Sequence, residues 1–448
     1  MFENVITVDD VFLIPVGKYA KVKDDACYLV YSPFARRMAL IARSSEAFQL
    51  MINDSVVPNK LAPLFSFDKR ELLSYAPSTP EQLRRMSILP NEKCNFRCSY
   101  CYAAQGRSNV ELDSTVINRA IQWFVSRKRC GGQDLFISIL GGGEPLLSWG
   151  STKQAILFIR YLERQENLKV ALAITTNASL ITDEIATFLN QQRILVNASF
   201  DVLEDVQNTQ RGYFKEVEAG IFALARANVQ VVFRSTITPL NVHRCLEMAH
   251  TCVSRYPFVK GLSLEAVAAG REIFPTKKYL YDFLRTFHKS FYEAYQYGRT
   301  ANLKVSTSSF LNMDILSDRF CSGDFCLTPS GELSICHRIS SPKEKNFKRF
   351  VFGEVSGSGV TINDSAFERL SRMGNASRER CKSCFMRWHC GGMCLGKEIA
   401  FPEEYLDVLC DAYCCFGLEH LINIYSHNLT SSFSNAISKT LETSCLKG

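Results

Sequence analysis

The chain has 448 residues, of which 46% are hydrophobic and 22% charged, with 18 cysteines and a formal net charge of +7. That length supports two or three domains with a sizeable core, and the composition is that of a folded globular protein. No run approaches the roughly 20 apolar residues that span a bilayer, the opening MFENVITVDD lacks the regions of a signal peptide, and no dense Lys/Arg run points to nucleic acid, so a cytoplasmic protein without membrane or nucleic-acid partners is expected. In that compartment disulfides rarely persist, and so many cysteines point to metal or redox chemistry.

In chain order, Ala26–Ser32 and Arg37–Arg43 read as two strands joined by a turn at Pro33, followed by a helix over Ser45–Asn53 and a second short one near Leu61. From Met86 onward strand-like runs (Met86–Leu89, Asp134–Leu140, Leu168–Thr175, Ile194–Asp201, Val229–Thr236 and Gly261–Val267) alternate with amphipathic segments. The latter are Ser114–Val125 with Asp113 as its cap, Lys153–Glu163, Asp183–Asn190 and Phe214–Arg226. Alternating βα units predict an α/β fold with a parallel sheet and right-handed crossovers, and six units are too few to close an eight-stranded barrel. After Val305 the pattern breaks into short cysteine-rich segments, and a helix returns over residues 416–442 with Leu418, Leu421, Ile422 and Tyr425 at helical spacing. Three domains are expected: 1–85, 86–305 and 306–448.

Chemistry is carried by a few short motifs. KCNFRCSYCY sets Cys94, Cys98 and Cys101 in a CxxxCxxC spacing, with Tyr100 before the third thiol. Three thiolates can hold a four-iron cube and leave one iron without a protein ligand, and an open position marks a catalytic centre. A zinc site, or three thiols on one helical face, is the alternative reading of the spacing alone. Gly141-Gly142-Gly143-Glu144-Pro145 follows the second strand, where glycines permit close backbone approach and Glu144 or a free carbonyl can receive an ammonium group. Thr175-Thr176-Asn177 ends the third strand and Ser199-Phe200-Asp201 the fourth, with Arg211 ten residues on. A hydroxyl suits a ribose oxygen and a guanidinium suits a carboxylate, although these side chains also serve turns and caps.

With the Gly142-Gly143-Glu144-Pro145 turn behind that cysteine loop, the chain resembles the radical S-adenosylmethionine (SAM) enzymes. The resemblance implies an open, partial (β/α)6 barrel whose active residues sit at the C-terminal strand ends. It implies a [4Fe-4S] cluster on Cys94, Cys98 and Cys101 that binds SAM and cleaves it to a 5′-deoxyadenosyl radical. It also implies SAM contacts at Tyr100, Gly142, Gly143, Glu144, Asn177, Ser199, Asp201 and Arg211. Relatives commonly read S-x-D-G at the fourth strand, whereas Val202 follows Asp201 here. The strand–strand–helix order of residues 1–85 loosely resembles the small PqqD-like domain that binds leader peptides by adding a strand. A plain N-terminal extension packed on the barrel would read the same way.

Cys381-x2-Cys384-x5-Cys390-x3-Cys394, then Cys410, follow Cys321, Cys326, Gly331 and Cys336. This array resembles the SPASM auxiliary-cluster domain; zinc ribbons also use CxxC pairs. The resemblance implies two auxiliary [4Fe-4S] clusters, one on Cys321, Cys326, Cys336 and Cys394, the other on Cys381, Cys384, Cys390 and Cys410. Spacing alone would group the four consecutive cysteines, and Cys414 or Cys415 stands close enough to replace Cys410. Without Cys326 the first cluster would have an open iron. Seven cysteines remain, Cys27, Cys130, Cys245, Cys252, Cys414, Cys415 and Cys445, and most of them read as core thiols. Sulfatase-maturing relatives place an aspartate base directly after Cys336, where this chain has His337, either a proton acceptor or a donor to a cluster sulfur.

The expected activity is that of a radical SAM/SPASM oxidoreductase that modifies a peptide, installing a carbon–carbon or thioether crosslink in a ribosomally made precursor. Electrons would come from an external low-potential reductant such as a flavodoxin or ferredoxin. The alternatives are a sulfatase (formylglycine) maturase, a small-molecule dehydrogenase of the same superfamily, and a cluster-bearing electron-transfer or redox-sensing protein.

Overall fold

The computed structural model describes residues 5–16, 27–75, 77–308, 313, 315–373 and 378–425. Ala26, Cys445 and the stretch 426–442 of the expected last helix lie outside the described residues.

The N-terminal unit is a four-stranded antiparallel sheet in sequence order, β1 (Ile6–Val8), β2 (Val11–Pro15), β3 (Cys27–Ser32) and β4 (Arg37–Ala42), followed by α1 (Glu46–Asn53). The sequence reading found β3, β4 and α1 and missed the first hairpin. Its turn is Asp9-Asp10, both at positive φ (47° and 62°), the geometry of a two-residue hairpin turn that Asp tolerates. β2 is a continuous apolar run because both of its faces are covered. Val11 and Leu13 meet Phe48 and Met51 of α1, while Phe12 and Ile14 meet the C-terminal region.

The second sheet has eleven strands. The expected barrel strands are present as β5 (Arg85–Ile88), β6 (Leu135–Ile139), β7 (Val170–Thr176), β8 (Ile194–Ser199), β9 (Val231–Ile237) and β10 (Gly261–Ala266). They run parallel in sequence order and do not close. The crossovers include α2 (Ser114–Phe124), α3 (Trp149–Gln165), α4 (Asp183–Gln191), α5 (Glu204–Gln210), α6 (Phe214–Arg226), α7 (Cys245–Arg255) and α8 (Lys277–Thr300). Asp113 caps α2 as expected, accepting from the backbone N–H of Thr115 and Val116. The 24-residue α8 was not anticipated; it packs on α7 and on α10 (Leu406–Tyr425). That last helix begins at Leu406, not at residue 416. β11 (Lys304–Ser306) adds a parallel strand beside β10 and so runs across the expected 305/306 boundary.

The edge at β5, which an open barrel would leave unpaired, is covered by β12 (Phe325–Leu327), parallel to it. The sheet then continues antiparallel through β13 (Glu332–Ser334), β14 (Val351–Ser356) and β15 (Gly359–Ile362), followed by α9 (Asp364–Arg372). Gly331 turns β12 into β13 at φ 93°, a left-handed conformation suited to glycine. Barrel and cysteine-rich region thus share one sheet and one apolar core.

Phe325 forms that joint. Fully buried, it stacks on Trp123 (4.7 Å between ring centroids) and touches Phe124 (5.6 Å). Phe325→Ala should destabilise the folded chain by about 3–5 kcal/mol. In anaerobic denaturant titrations barrel and C-terminal region should still unfold together; separate transitions would contradict a shared core.

Candidate functional site

The C-terminal ends of β5 to β10 border one open cavity of about 320 Å³, within the range of small-molecule sites. Cys94, Cys98, Cys101, Tyr100, Gly142, Gly143, Glu144, Asn177, Ser199, Arg211 and His337 all line it. Residues that sequence spacing placed far apart are therefore neighbours.

The glycines have a specific reason. A Cβ on Gly143 would lie 1.8 Å from the carbonyl oxygen of Lys93, and one on Gly142, itself at φ 84°, 2.8 Å from that of Asn91. What comes so close is the cysteine loop itself, so the turn and the loop require each other. Glu144 then ties three strand ends together. Its N–H donates to Lys93 O (2.6 Å), while its carboxylate accepts from Thr176 Oγ1 (2.6 Å), Asn177 N (2.7 Å) and Leu146 N (3.1 Å). The Asn177 side chain is also engaged, with Asn95 and Ser179.

Asp201 does not line the cavity. Fully buried behind it, the carboxylate accepts from Arg211 Nε (2.9 Å), Tyr100 Oη (3.3 Å), Gln210 Nε2 (3.2 Å), Ser235 Oγ (3.0 Å) and Thr236 N (3.1 Å). It acts by aiming Arg211, whose guanidinium lies 5.2 Å from the Tyr100 ring. Val202 occupies the left-handed region at φ 65°, which is strained for a β-branched residue. Burial of the valine (1% exposed) offsets the strain.

Several site residues escaped the sequence reading. Arg107 Nη2 donates to Cys101 Sγ (3.4 Å), and its Nε is buried with no partner among the described residues. Phe96 N donates to Cys94 Sγ (3.4 Å). Burial pushes the Cys94 and Cys98 thiols up, while Arg107 and Arg211 respectively pull them down. Asp324 supplies a carboxylate 2.9 Å from His337 Nδ1 and 3.3 Å from Arg85 Nε. Burial alone would raise Asp324, but its partners, chiefly His337, hold it below the ordinary carboxylate range. Its only sequence signal was a place two residues before Cys326.

The remaining cysteines form two groups. Cys336 lies within electrostatic reach of Cys394 and Cys321, and Cys326 within reach of Cys336. Cys390 feels Cys384, Cys410 and Cys381. Cys394 therefore sides with the first group, although it follows the second in sequence. Cys414 adds a fifth thiol to the second group, 3.7 Å from Cys384, whereas Cys415 faces Tyr281 Oη at 3.7 Å. Cys130, Cys245 and Cys252 are buried in the core. A small second cavity of about 40 Å³ lies between the second group, at Cys390 and Cys410, and Ala266 of β10, which also borders the main cavity.

Among the described residues no three His, Cys, Asp or Glu side chains converge on a single ion. Cys94, Cys98 and Cys101 are arrayed instead around the cavity wall, with N–H donors on two of the sulfurs and an unpartnered guanidinium nitrogen beside them. An all-thiol donor set with hydrogen bonds to sulfur fits an iron–sulfur cube.

Residues 88–252 match the family model described as Radical SAM superfamily. The chain is 30% identical over 159 residues to an uncharacterized protein of Methanothermobacter thermautotrophicus, a match that covers 35% of this chain and 58% of that protein. It is 20% identical over 373 residues to the radical SAM cyclopropyl synthase TigE of Paramaledivibacter caminithermalis, covering 75% of this chain and 73% of the relative. With the cysteine-type anaerobic sulfatase-maturating enzyme of Clostridium novyi it shares 23% identity, covering 74% and 93%. Among solved structures it resembles native anSMEcpe with bound AdoMet and Cp18Cys peptide (TM-score 0.56, 18% identity, covering 77% of this chain and 100% of that one). It also resembles Streptococcus suis SuiB bound to the precursor peptide SuiA (TM-score 0.51, 16% identity, covering 76% and 75%).

Burial pushes the Glu144 carboxyl up to about 7, against the donors that pull it down. The unfolded chain loses that proton near pH 4.3, so the folded state holds it longer and stability falls as pH rises through the folded value. Between pH 6 and pH 8 this group should remove about 1 kcal/mol of stability. Denaturant midpoints of wild type and Glu144→Gln at both pH values isolate it, since the variant lacks this component. Equal pH slopes in the two proteins would show that Glu144 is not the titrating group.

Proposed function

Since residues 88–252 belong to the radical SAM superfamily, we propose that the chain is a peptide-modifying enzyme of that superfamily, and that its reaction is an oxidative intramolecular crosslink in a ribosomally made precursor. The observation that carries the reading is the single cavity, lined at once by Cys94, Cys98, Cys101, the Gly-Gly-Glu turn, Ser199, Arg211 and His337. A cube held by the three cysteines, with SAM bound, supplies a 5′-deoxyadenosyl radical.

The chain's own residues set the rest. Arg211, aimed by Asp201, presents a guanidinium suited to a carboxylate. No side-chain hydrogen bond among the described residues engages the Ser199 hydroxyl, which suits it to a ribose oxygen. Arg107 offsets the negative charge that three thiolates bring. A crosslink removes two hydrogens from the peptide, one as a hydrogen atom and the other as a proton and an electron. His337, oriented by Asp324, is the candidate proton acceptor. The two thiol groups are candidate seats for auxiliary clusters that would accept the electron the peptide gives up, while an external reductant of the flavodoxin or ferredoxin class would supply the electron that cleaves SAM.

The N-terminal unit is proposed to hold the leader. β4 is a sheet edge, and an extended peptide adds to such an edge through its backbone. The solved structures with bound peptides support a peptide substrate. The sulfatase-maturase reading has equal support, because the Clostridium novyi enzyme aligns along 74% of this chain. That reading expects an aspartate directly after Cys336; His337 stands there, with the Asp324 carboxylate behind it.

Anaerobically reconstituted protein should hold about twelve irons, and replacing Cys94, Cys98 and Cys101 together by alanine should remove about four of them with all SAM cleavage. A protein that binds zinc and shows no iron–sulfur absorption would end the reading. With a precursor peptide encoded beside the gene, the amides of residues 37–42 should exchange hydrogen more slowly when the peptide is bound. Unchanged exchange there, with tight binding retained, would place the leader elsewhere.

A further inference from the structure

One face of the N-terminal sheet is built onto the segment that carries the second thiol group. Phe12, Tyr31 and Phe34 share an apolar cluster with Phe385, Met386, Trp388 and Cys414, and Cys384 and Cys390 pack at its margin. Segment 384–390 has little structure of its own: a single helical turn, Arg387–Cys390, which ends in the left-handed Gly391. Such a short turn depends on neighbours for its position.

Those neighbours come from the N-terminus. Trp388 Nε1 donates to Asp10 Oδ1 (3.0 Å) in the first hairpin turn, and Lys69 joins the Asp10 carboxylate (2.8 Å) while its ammonium sits 4.0 Å from the Trp388 ring centroid. His389, beside Cys390, is buried, and its Nδ1 lies 3.2 Å from the carbonyl oxygen of Ile315. A carbonyl only accepts, so Nδ1 carries the proton. Nε2 lies within hydrogen-bond distance of the Tyr31 hydroxyl, at 2.6 Å. On the far side of β3, Tyr31 stands opposite Met38 of the edge strand β4.

We propose that the N-terminal sheet is the clamp that retains the second auxiliary centre, with Tyr31 and His389 as positioning residues for Cys384 and Cys390. The sheet thereby has a role besides any peptide docking. It holds a metal site whose ligands all lie more than three hundred residues away in sequence, and a ligand added at β4 lies one strand from that clamp. The inference rests on the reading of Cys381, Cys384, Cys390 and Cys410 as a cluster site.

The test uses full-length, reconstituted holoenzyme and a ferrous chelator. In Tyr31→Phe, which removes one oxygen from a buried hydrogen bond, about four of the twelve irons should leave roughly fivefold faster than in wild type. The electron paramagnetic resonance signal of that one centre should change, while SAM cleavage by the site cube is preserved. Tyr28→Phe, on the same strand but facing Phe48 on the opposite side, should lose iron at the wild-type rate. Wild-type loss rates and spectra in both Tyr31→Phe and Trp388→Phe would overturn the clamp. A wild type that reconstitutes with only four irons would overturn the auxiliary-cluster reading and the clamp with it.

Discussion

The site depends first on the passage of the cysteine loop across the end of β6. With Lys93 O 1.8 Å from where a side chain on Gly143 would begin, no other residue type fits without moving the loop. Glu144 then fastens what the glycine admits. Its backbone holds Lys93, and its buried carboxylate holds the start of the segment after β7. A carboxylate taken out of water is costly unless its acceptor positions are filled, and here donors from the end of β7 and from the following turn fill them. The three cysteines are therefore presented by a loop whose far side is pinned to two neighbouring strands.

A second buried carboxylate does the same on the other side of the cavity. Asp201 collects donors from β9, from the residues after α5 and from Tyr100 in the cysteine loop, and the outcome is a guanidinium fixed at the cavity wall. Removing either acid would leave several donors buried without acceptors, a larger loss than the deletion of a single contact. The strained backbone at Val202 fits this picture. A left-handed valine persists only where its surroundings over-determine it, and Asp201 immediately before it supplies that constraint.

The barrel was legible because its signals are local: apolar runs with turn residues between them, and amphipathic helices with caps such as Asp113. The motif residues could be picked out because they stand at fixed places behind successive strands, and the fold brings most of them to one cavity. What escaped was set by tertiary pairing. β12 is three residues long, and nothing in Phe325–Leu327 announces that it will cover the edge of β5 more than two hundred residues earlier. Arg107 and Asp324 act through contacts that spacing does not encode. Asp201 stands one layer behind the expected position, since a serine–aspartate pair at a strand end reads alike whether the acid faces the cavity or holds the residue that does. The hairpin of β1 and β2 had a usable signal, Asp9-Asp10 between apolar runs.

Continuity of packing changes what the domain boundaries mean. The barrel and the cysteine-rich region share a sheet, and the N-terminal sheet shares a core with the segment around Trp388. Cutting the chain near residue 80 would uncover Phe385, Met386 and Leu418, now buried, at a cost of roughly 1.5–3 kcal/mol for each large apolar side chain returned to water. Loss of peptide binding in such a truncation would therefore follow from a disturbed C-terminal region as readily as from a missing docking strand. Substitutions that leave the shared core intact separate the two, because the β4 edge and the Tyr31–His389 contact lie on different strands and meet different neighbours.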